Sequence, residues 1–222
     1  MLTYNSSVAH PPQHRLPAVD RRRQLLDSAL DLFSRQGFEG TTTKEIAAAA
    51  GVNEAIIFRH FPSKQALYTA VLDCKHESGE FDSTLAHWRS LMDANDDIGL
   101  FRALIEKVIR GFREDARFHR AILFAALEGH QIGLQHHRER SLPVFELFCQ
   151  YVARRQSEGA IRPGSPGAVV GAIVGAAYHF GMMTEFFGFA HDSNDGDVAA
   201  ALLDIVLHGI LPSDHSTEKA IA

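Results

Sequence analysis

The sequence predicts an all-helical protein with a three-helix N-terminal domain and a larger helical C-terminal domain. No stretch alternates polar and apolar residues at a period of two between turn signals, which is the pattern of a strand. Apolar residues recur instead at helical spacing along most of the chain. The breaks between these stretches are short and rich in glycine and proline, as expected between packed helices.

Turn and capping residues set the boundaries of the predicted helices. Gly37 follows an apolar helical face as a stop signal, and Ser63 is suited to cap a long fourth helix that ends before the polar turn at 93–97. Pro143 should kink or split its helix, because proline lacks the backbone N–H. The predicted helices are about 19–36, 43–50, 53–60, a long helix from 63, 97–113, 115–128, 132–158, 166–188 and 195–210.

Composition favours a soluble globular protein. The 222 residues are 45% hydrophobic and 22% charged, and most of the 15 Phe fall after residue 100. The net charge is −5, yet the segment from Arg15 to Lys75 holds 9 Lys and Arg against 7 Asp and Glu. A locally basic end on an acidic chain fits contact with phosphate at that end alone.

The ends of the chain predict flexible segments. Three prolines within residues 1–17 indicate a disordered arm, and the tail after Pro212 is expected to fray. The start lacks the basic residues and apolar run of a signal peptide, so we expect a cytoplasmic protein with Cys74 and Cys149 reduced. The predicted division is an arm at 1–17, an N-terminal domain at 18–64, a C-terminal domain at 65–212 and a tail at 213–222.

The segment from Thr43 to Phe61 has the pattern of a helix-turn-helix. Two short helices that cross steeply need a small residue where they touch, which Ala47 supplies. The turn needs a residue that tolerates positive φ, which Gly51 supplies. Apolar residues anchor both helices, namely Ile46, Ala50, Val52 and Ile57. The alternative is an alanine-rich helical hairpin with no role in DNA binding.

This part of the chain resembles the TetR family of bacterial repressors. The resemblance runs from Leu25 to Leu72 and rests on Gly37-Phe38, Thr41-Thr42-Thr43, Ile46-Ala47, Ala50-Gly51-Val52, Phe58-Arg59-His60-Phe61 and Ser63-Lys64. It implies an all-α fold in which a three-helix DNA-binding domain precedes a helical domain for ligand binding and dimerisation. The family's C-terminal domain is highly divergent, so the rest of the chain matches only in length and helical rhythm.

The resemblance also implies which residues face DNA. The third helix enters the major groove, where Arg59 is suited to read guanine or to clamp phosphate. The start of the second helix should hold phosphate through N–H, hydroxyl and ammonium groups. The predicted DNA contacts are Thr42, Thr43, Lys44, Asn53, Glu54, Ala55, Phe58, Arg59, His60 and Lys64.

Three positions leave alternatives open. Phe58 stands where the family often has Tyr, so it lacks the hydroxyl that binds phosphate. Glu54 either accepts from cytosine or repels phosphate at wrong sites, or it is a helix-start charge favourable to the dipole. The basic run at 21–23 either approaches the duplex or is a solvated helix end.

The aromatic and methionine residues of the C-terminal half favour an adaptable apolar pocket. The wider set of large side chains includes Phe118, Phe180 and Phe187, and for each residue the alternative is ordinary core packing. The predicted pocket residues are Phe101, Phe112, Phe124, Glu128, Tyr151, Tyr178, His179, Met182, Met183 and Phe186.

No pattern indicates a catalytic residue, a metal site or a cofactor. The adjacent His136 and His137 point to different helix faces. His119, His130 and His179 lack the i, i+4 spacing of a helical zinc pair. Neither a G-x-S-x-G nucleophile motif nor a glycine-rich phosphate loop occurs in the sequence.

The uncharged stretch at 167–184 carries three glycines at four-residue spacing. Taken alone it is barely long enough for a membrane helix. The other interpretation is a soluble helix, buried on most sides, whose glycines let a partner helix approach. In the family the last two long helices form a four-helix dimer interface, so we expect a homodimer and no membrane partner. The candidate contacts are Ala168, Gly171, Ala172, Gly175, Leu202, Ile205, Val206, Gly209 and Ile210.

The sequence thus predicts a repressor that a small, largely apolar effector releases from a double-stranded DNA operator. In a two-fold dimer the third helices occupy successive major grooves, so the operator should be a pseudo-palindrome. The long fourth helix would transmit the effector's presence. One alternative is a helical carrier or enzyme that kept the fold and lost its operator. Another is a structural nucleic-acid protein that binds without an effector.

Overall fold

A computed structural model describes residues 17–74, 79–189 and 194–208 of the chain. Within these ranges the backbone is helical and contains no strand, as predicted. The helices are α1 (Ala18–Gln36), α2 (Thr43–Ala49), α3 (Glu54–His60), α4 (Lys64–Asp73), α5 (Glu80–Asp93), α6 (Asp97–Leu127), α7 (Gln131–His136), α8 (Leu142–Ser157), α9 (Pro166–Phe187) and α10 (Asp195–His208). A π-helical turn, His137–Ser141, joins α7 to α8.

Local signals fix the first three helices where the sequence predicts them. α1 ends at Gly37, whose φ of 72° favours glycine. Thr42 caps α2 in a capping box, since its hydroxyl accepts from the Glu45 N–H and the Glu45 carboxylate accepts from the Thr42 N–H. Gly51 turns the chain into α3 with a φ of 63°.

The fourth helix is shorter than predicted. Ser63 caps it as expected, because its hydroxyl accepts from the Ala66 N–H at 3.0 Å. However, α4 ends at Asp73 and a separate helix, α5, begins at Glu80. Gly79 precedes α5 with a φ of 71°, a left-handed conformation that a continuous α-helix does not accommodate. The prediction of one long helix between Ser63 and the turn at 93–97 is therefore wrong.

Two later interruptions occur where the sequence predicts them. α6 breaks at Asp115, whose φ of −159° and ψ of 88° are not helical, and the Asp115 carboxylate accepts from the Arg117 N–H at the start of the second half. Before Pro143 the helix widens into the π-helical turn, where the Leu142 N–H donates to the His137 carbonyl. Pro143 has no N–H to donate to the carbonyl four residues earlier, and its ring clashes with that carbonyl in a regular α-helix. The wider π-helical turn accommodates the proline at this position.

The buried side chains form two cores, and α6 contributes to both. The first core joins α1, α2, α3 and α4 to Ala121 and Ala125 from the second half of α6. In it Tyr68 packs edge-on against Phe33 and Phe38, with ring centroids 4.8 and 5.1 Å away, and each such pair adds about 0.5–1.5 kcal/mol. The second core is formed by α5, α8, α9, α10 and the first half of α6. α6 therefore connects the N-terminal helices directly to the C-terminal bundle.

Candidate DNA interface and interior cavity

Helices α2 and α3 pack as the two helices of a helix-turn-helix. Ala47 is buried at their contact, and the Val52 N–H donates to the Ala47 carbonyl at 2.9 Å across the turn. Asn53 caps α3, because its side-chain oxygen accepts from the Ala55 N–H at 2.9 Å. The hydroxyl and N–H of Thr42 hold the pKa of the Glu45 carboxyl below its usual value. The first turn of each helix is thus fixed by its own side chains.

The predicted DNA contacts are exposed or half-buried positions of α2, α3, the caps of these helices and the start of α4. Lys44, Asn53, Ala55 and Arg59 are exposed, and Phe58 is 49% exposed although its ring is apolar. The remaining exposed position is Thr42, and the half-buried positions are Thr43, Glu54, His60 and Lys64. An exposed aromatic beside Asn and Arg suits contact with the edges and methyl groups of bases.

Two of the predicted DNA residues bond to each other. The Thr43 hydroxyl donates to the Glu54 carboxylate at 2.5 Å, and this bond joins the start of α2 to the start of α3. From the sequence alone, Glu54 is expected either to contact a base, to repel phosphate at wrong sites or to act as a favourable charge at the start of a helix. The structure adds a bracing role that the spacing of 11 residues does not reveal.

The basic start of α1 shares a cleft with α3. The cleft has a volume of about 770 Å³, and its wall includes Arg21, Arg59 and His60. Gln24 fixes this end of α1 against α2, because its side-chain amide donates to the Ala50 carbonyl at 3.1 Å. On α4, the ammonium group of Lys64 lies 4.1 Å above the Phe38 ring. Positive charge from α1 and α3 therefore gathers at the cleft.

A second cavity of about 570 Å³ lies within the C-terminal bundle. Its surface is mainly apolar, with charged groups from α5, α6 and the π-helical turn. The volume and character are those of a small-molecule site. It is lined by Glu80, Phe81, Thr84, Trp88, Leu104, Lys107, Val108, Gly111, Glu114, Phe118, His119, His137, Arg140, Ser141, Leu142, Val144, Phe145, Phe148, Val170 and Val174.

None of the ten predicted pocket residues lines this cavity, although Phe118 of the wider set does. Phe101, Phe112 and Tyr151 are buried in packing contacts. Phe124, Tyr178, Met182, Met183 and Phe186 are half-buried, whereas His179 and Glu128 are exposed. The Phe112 ring stacks on His119 with centroids 3.9 Å apart and so backs the cavity wall.

Two of these residues hold helices together. The Tyr151 hydroxyl donates to the Asp97 carboxylate, and burial together with this bond raises the pKa of the Tyr151 phenol. Glu128, at the end of α6, accepts from the Phe38 N–H at 3.1 Å in the loop after α1. Glu128 therefore links the C-terminal bundle to the N-terminal domain.

A further link between α6 and α1 centres on Arg117. Its guanidinium donates to Asp115 at the break in α6 and to Asp27 of α1 at 2.8 Å. Both carboxylates raise the pKa of the Arg117 guanidinium, the bonds to Asp115 most of all. Because Glu114 and Phe118 on either side of this cluster line the cavity, the break in α6 lies between the cavity and α1.

α9 and α10 leave apolar surface uncovered. α9 is the one described helix that is long and apolar enough to cross a membrane, and only 22% of its most apolar window is buried. Of the predicted dimer contacts, Ala168, Gly171, Ala172, Gly175 and Ile205 are exposed, and Leu202 and Val206 are half-buried. Gly209 and Ile210 lie outside the described residues. The expectation that α9 is buried on most sides is not met within one chain.

The N-terminal helices match a known family. Residues 25–71 match the family described as "Bacterial regulatory proteins, tetR family". By sequence, residues 25–71 of this chain form a TetR-family domain. The match covers α2, α3 and most of α1 and α4, so the exposed positions described above lie in the TetR-family domain.

Transcription regulators from other bacteria also match part of the chain. The chain is 48% identical to the HTH-type transcriptional regulator RutR of Escherichia coli K12 over 52 residues, 23% of this chain and 24% of RutR. It is 34% identical to the HTH-type transcriptional activator FasR of Mycolicibacterium smegmatis over 110 residues, 49% of this chain and 48% of FasR. The matched stretches thus span less than half of either relative.

The fold beyond the TetR-family domain is shared with solved structures. One is the crystal structure of AibR in complex with isovaleryl coenzyme A and operator DNA, which has a TM-score of 0.63. It is 19% identical in sequence, and the alignment covers 84% of this chain and 98% of AibR. This likeness confirms the predicted two-part helical architecture.

Proposed function

We propose that this chain is a DNA-binding transcription regulator whose affinity for DNA depends on a small molecule in the 570 Å³ cavity. The observation that carries the proposal is the exposure of Lys44, Asn53 and Arg59 on α2, the cap of α3 and α3 of a TetR-family domain, where Asn53 and Arg59 line the same cleft. Ammonium, amide and guanidinium groups in this arrangement suit phosphates and base edges. We propose no catalytic activity for this chain.

The contacts of α6 support a coupling between the cavity and DNA binding. α6 lines the cavity on both sides of its break at Asp115, and it contacts the N-terminal domain through Arg117 and Glu128. A ligand shifts such an equilibrium only by its different affinity for two arrangements, typically about 1–3 kcal/mol. From the sequence alone, a long fourth helix is predicted to transmit the effect of the ligand to the DNA-binding helices. We assign this transmission to α6, together with the short α4.

We further propose that the chain acts as a homodimer through α9 and α10. Only 22% of the most apolar window of α9 is buried, and Gly171 and Gly175 have open space where a Cβ would stand. Contiguous exposed apolar surface of this kind marks interaction sites. A second copy would cover this surface by two-fold symmetry. The two α3 helices would then reach successive major grooves, about 34–36 Å apart.

We propose that the regulator is a repressor and that a largely apolar effector causes it to release the operator. An operator-bound dimer most simply blocks transcription, and most of the cavity surface is apolar. AibR, which shares this fold, was crystallised in complex with both a small molecule, isovaleryl coenzyme A, and operator DNA. FasR is an activator, so a reporter gene placed behind the operator decides the direction. Higher expression without the protein supports repression, and lower expression contradicts it.

DNase footprinting of the region flanking the chain's own gene tests the proposed function. We expect one protected site with pseudo-palindromic half-sites about one helical turn apart. The matched control is Arg59→Ala, which should need roughly 5- to 150-fold more protein for the same protection while keeping the helical content of the original chain. Protection without sequence preference, or none at all, would contradict an operator-specific regulator and favour a carrier.

A further inference from the structure

The π-helical turn places one arginine between the cavity and α4. Arg140 lines the cavity, and its Nη2 atom is 3.6 Å from the Asp73 carboxylate. Asp73 is the last residue of α4, whose first residue is Lys64. The Nδ1 atom of the buried His136 lies 3.5 Å from the same carboxylate. Two basic side chains, one of them on the cavity wall, thus lie beside the carboxylate that ends α4.

The remaining charges of the cavity have opposite charges close by. Lys107 forms an ion pair with Glu80, which also lines the cavity. Glu114 lies 3.9 Å from Arg110. Arg140 differs from the lining Lys107, because its carboxylate neighbour, Asp73, is not among the lining residues and lies at 3.6 Å, beyond hydrogen-bond distance. The planar guanidinium binds a carboxylate or phosphate through two parallel bonds.

The rest of the lining suits an apolar body. Trp88, Phe145 and Phe148 line the cavity beside aliphatic residues, and Trp88 packs edge-on against Phe148 with centroids 5.2 Å apart. An occupant with an apolar chain and one anionic end would cover this surface and meet the Arg140 fork. A wholly apolar occupant would cover part of the half-exposed Arg140 side chain and offer its guanidinium no hydrogen-bond acceptor.

We propose that the effector is an amphipathic anion whose charged group binds Arg140, and that this binding draws Arg140 away from Asp73. Loss of this contact frees the end of α4 and alters the position of the TetR-family domain. The inference has two parts, the preference for an anion and the route through α4 to DNA binding, and only the second part rests on the proposed function. The anion preference concerns the cavity alone and is measured without DNA.

Trp88 is the chain's single tryptophan, so its fluorescence reports occupation of the cavity. The probes are decanoate, decanol and decylamine, which share a chain length and differ in charge, each below its micelle concentration. We expect decanoate to bind about tenfold more tightly than decanol, as one charge-assisted contact provides. Arg140→Gln should abolish this preference. Arg138→Gln, an exposed position on the same turn outside the cavity lining, should preserve it.

Three results would overturn the anion preference. Equal binding of decanoate and decanol would remove any role for Arg140, and tighter binding of decylamine would assign the site to Glu80 and Glu114. If none of the probes changes the Trp88 signal, the amphipathic occupant itself is wrong. A preference that survives Arg140→Gln would move the anion site elsewhere.

The Asp73 variant tests the second part. Asp73→Asn removes the carboxylate that competes for Arg140, so decanoate should bind several-fold more tightly to this variant. Decanoate should also weaken the DNA binding of this variant less than that of the original chain. Full DNA release by decanoate in Asp73→Asn would overturn the route through α4. If the original chain binds no DNA sequence specifically, the proposed function fails, and the Trp88 titration still decides the anion preference.

Discussion

The hydrogen bond between Thr43 and Glu54 predicts a measurable energetic coupling between α2 and α3. The perturbations are Thr43→Val and Glu54→Ala, made singly and together. The Thr43 hydroxyl donates to the Glu54 carboxylate at 2.5 Å, and both side chains are half-buried. Hydrogen bonds to charged groups contribute about 1.5–3 kcal/mol when buried. Partial exposure reduces this figure, so we expect a coupling of about 1 kcal/mol.

A double-mutant cycle in urea provides the assay. The free energies of unfolding of the original chain, the two single variants and the double variant give the coupling directly. The matched control is the cycle of Asp31→Ala and Arg35→Ala on α1. Their side chains are 2.9 Å apart one helical turn along an exposed face, a geometry that contributes about 0.3–0.5 kcal/mol.

A Thr43–Glu54 coupling no larger than that of the control pair would refute the bracing role. Glu54→Gln then separates the roles that the sequence left open. If the carboxylate also repels phosphate, this variant binds DNA more tightly at low salt, and the gain shrinks as salt rises. If Glu54 only braces the helices, its DNA affinity stays unchanged, because an amide oxygen still accepts from Thr43.

Arg59→Ala should weaken operator binding by about 1–3 kcal/mol, and a loss that is uniform across DNA sequences would assign Arg59 to phosphate instead of a base. Lys64→Ala should lower the slope of affinity against salt by about one unit, whereas an unchanged slope would show that Lys64 stays on the Phe38 ring. Ile205→Glu should convert the dimer to monomers in light scattering because Ile205 is 48% exposed on α10. Leu127→Glu, at an 85% exposed position on α6, should leave the dimer intact, and a dimer that survives Ile205→Glu would contradict the interface. Burial, with a smaller effect from Glu128, raises the pKa of Tyr68 from 10.0 to about 12, so the folded state keeps a proton that the unfolded chain releases. The free energy of unfolding should therefore fall as pH rises from about 10 to about 12, and a fall that Tyr68→Phe does not reduce would contradict this cause.

The N-terminal domain was predictable because its signals are local. Gly37 and Gly51 mark turns with positive φ, and Ser63 caps the helix that follows it. Each of these signals acts within one turn of the backbone and does not depend on distant packing. The positions of α1, α2 and α3 therefore follow from the sequence within a residue or two.

The cavity was not predictable, because its walls depend on how helices are arranged in space. The prediction took bulky side chains from the C-terminal half, but composition does not reveal which face of a helix meets a void. Phe112 faces the core and supports His119, which lines the cavity. Trp88 lies in a segment that the sequence predicts as part of one long helix, so the sequence gives no reason to place it on a cavity wall. Gly79, whose φ of 71° separates α4 from α5, was the signal that could have corrected this.

Fluorescence anisotropy of labelled duplexes from the region flanking the chain's own gene, at two salt concentrations, tests the central claim most directly. Specific contacts with bases persist as salt rises, whereas binding through phosphate alone falls steeply. An operator-specific regulator predicts tight binding to one duplex that survives the higher salt. Weak binding to every duplex that vanishes at the higher salt would contradict the account.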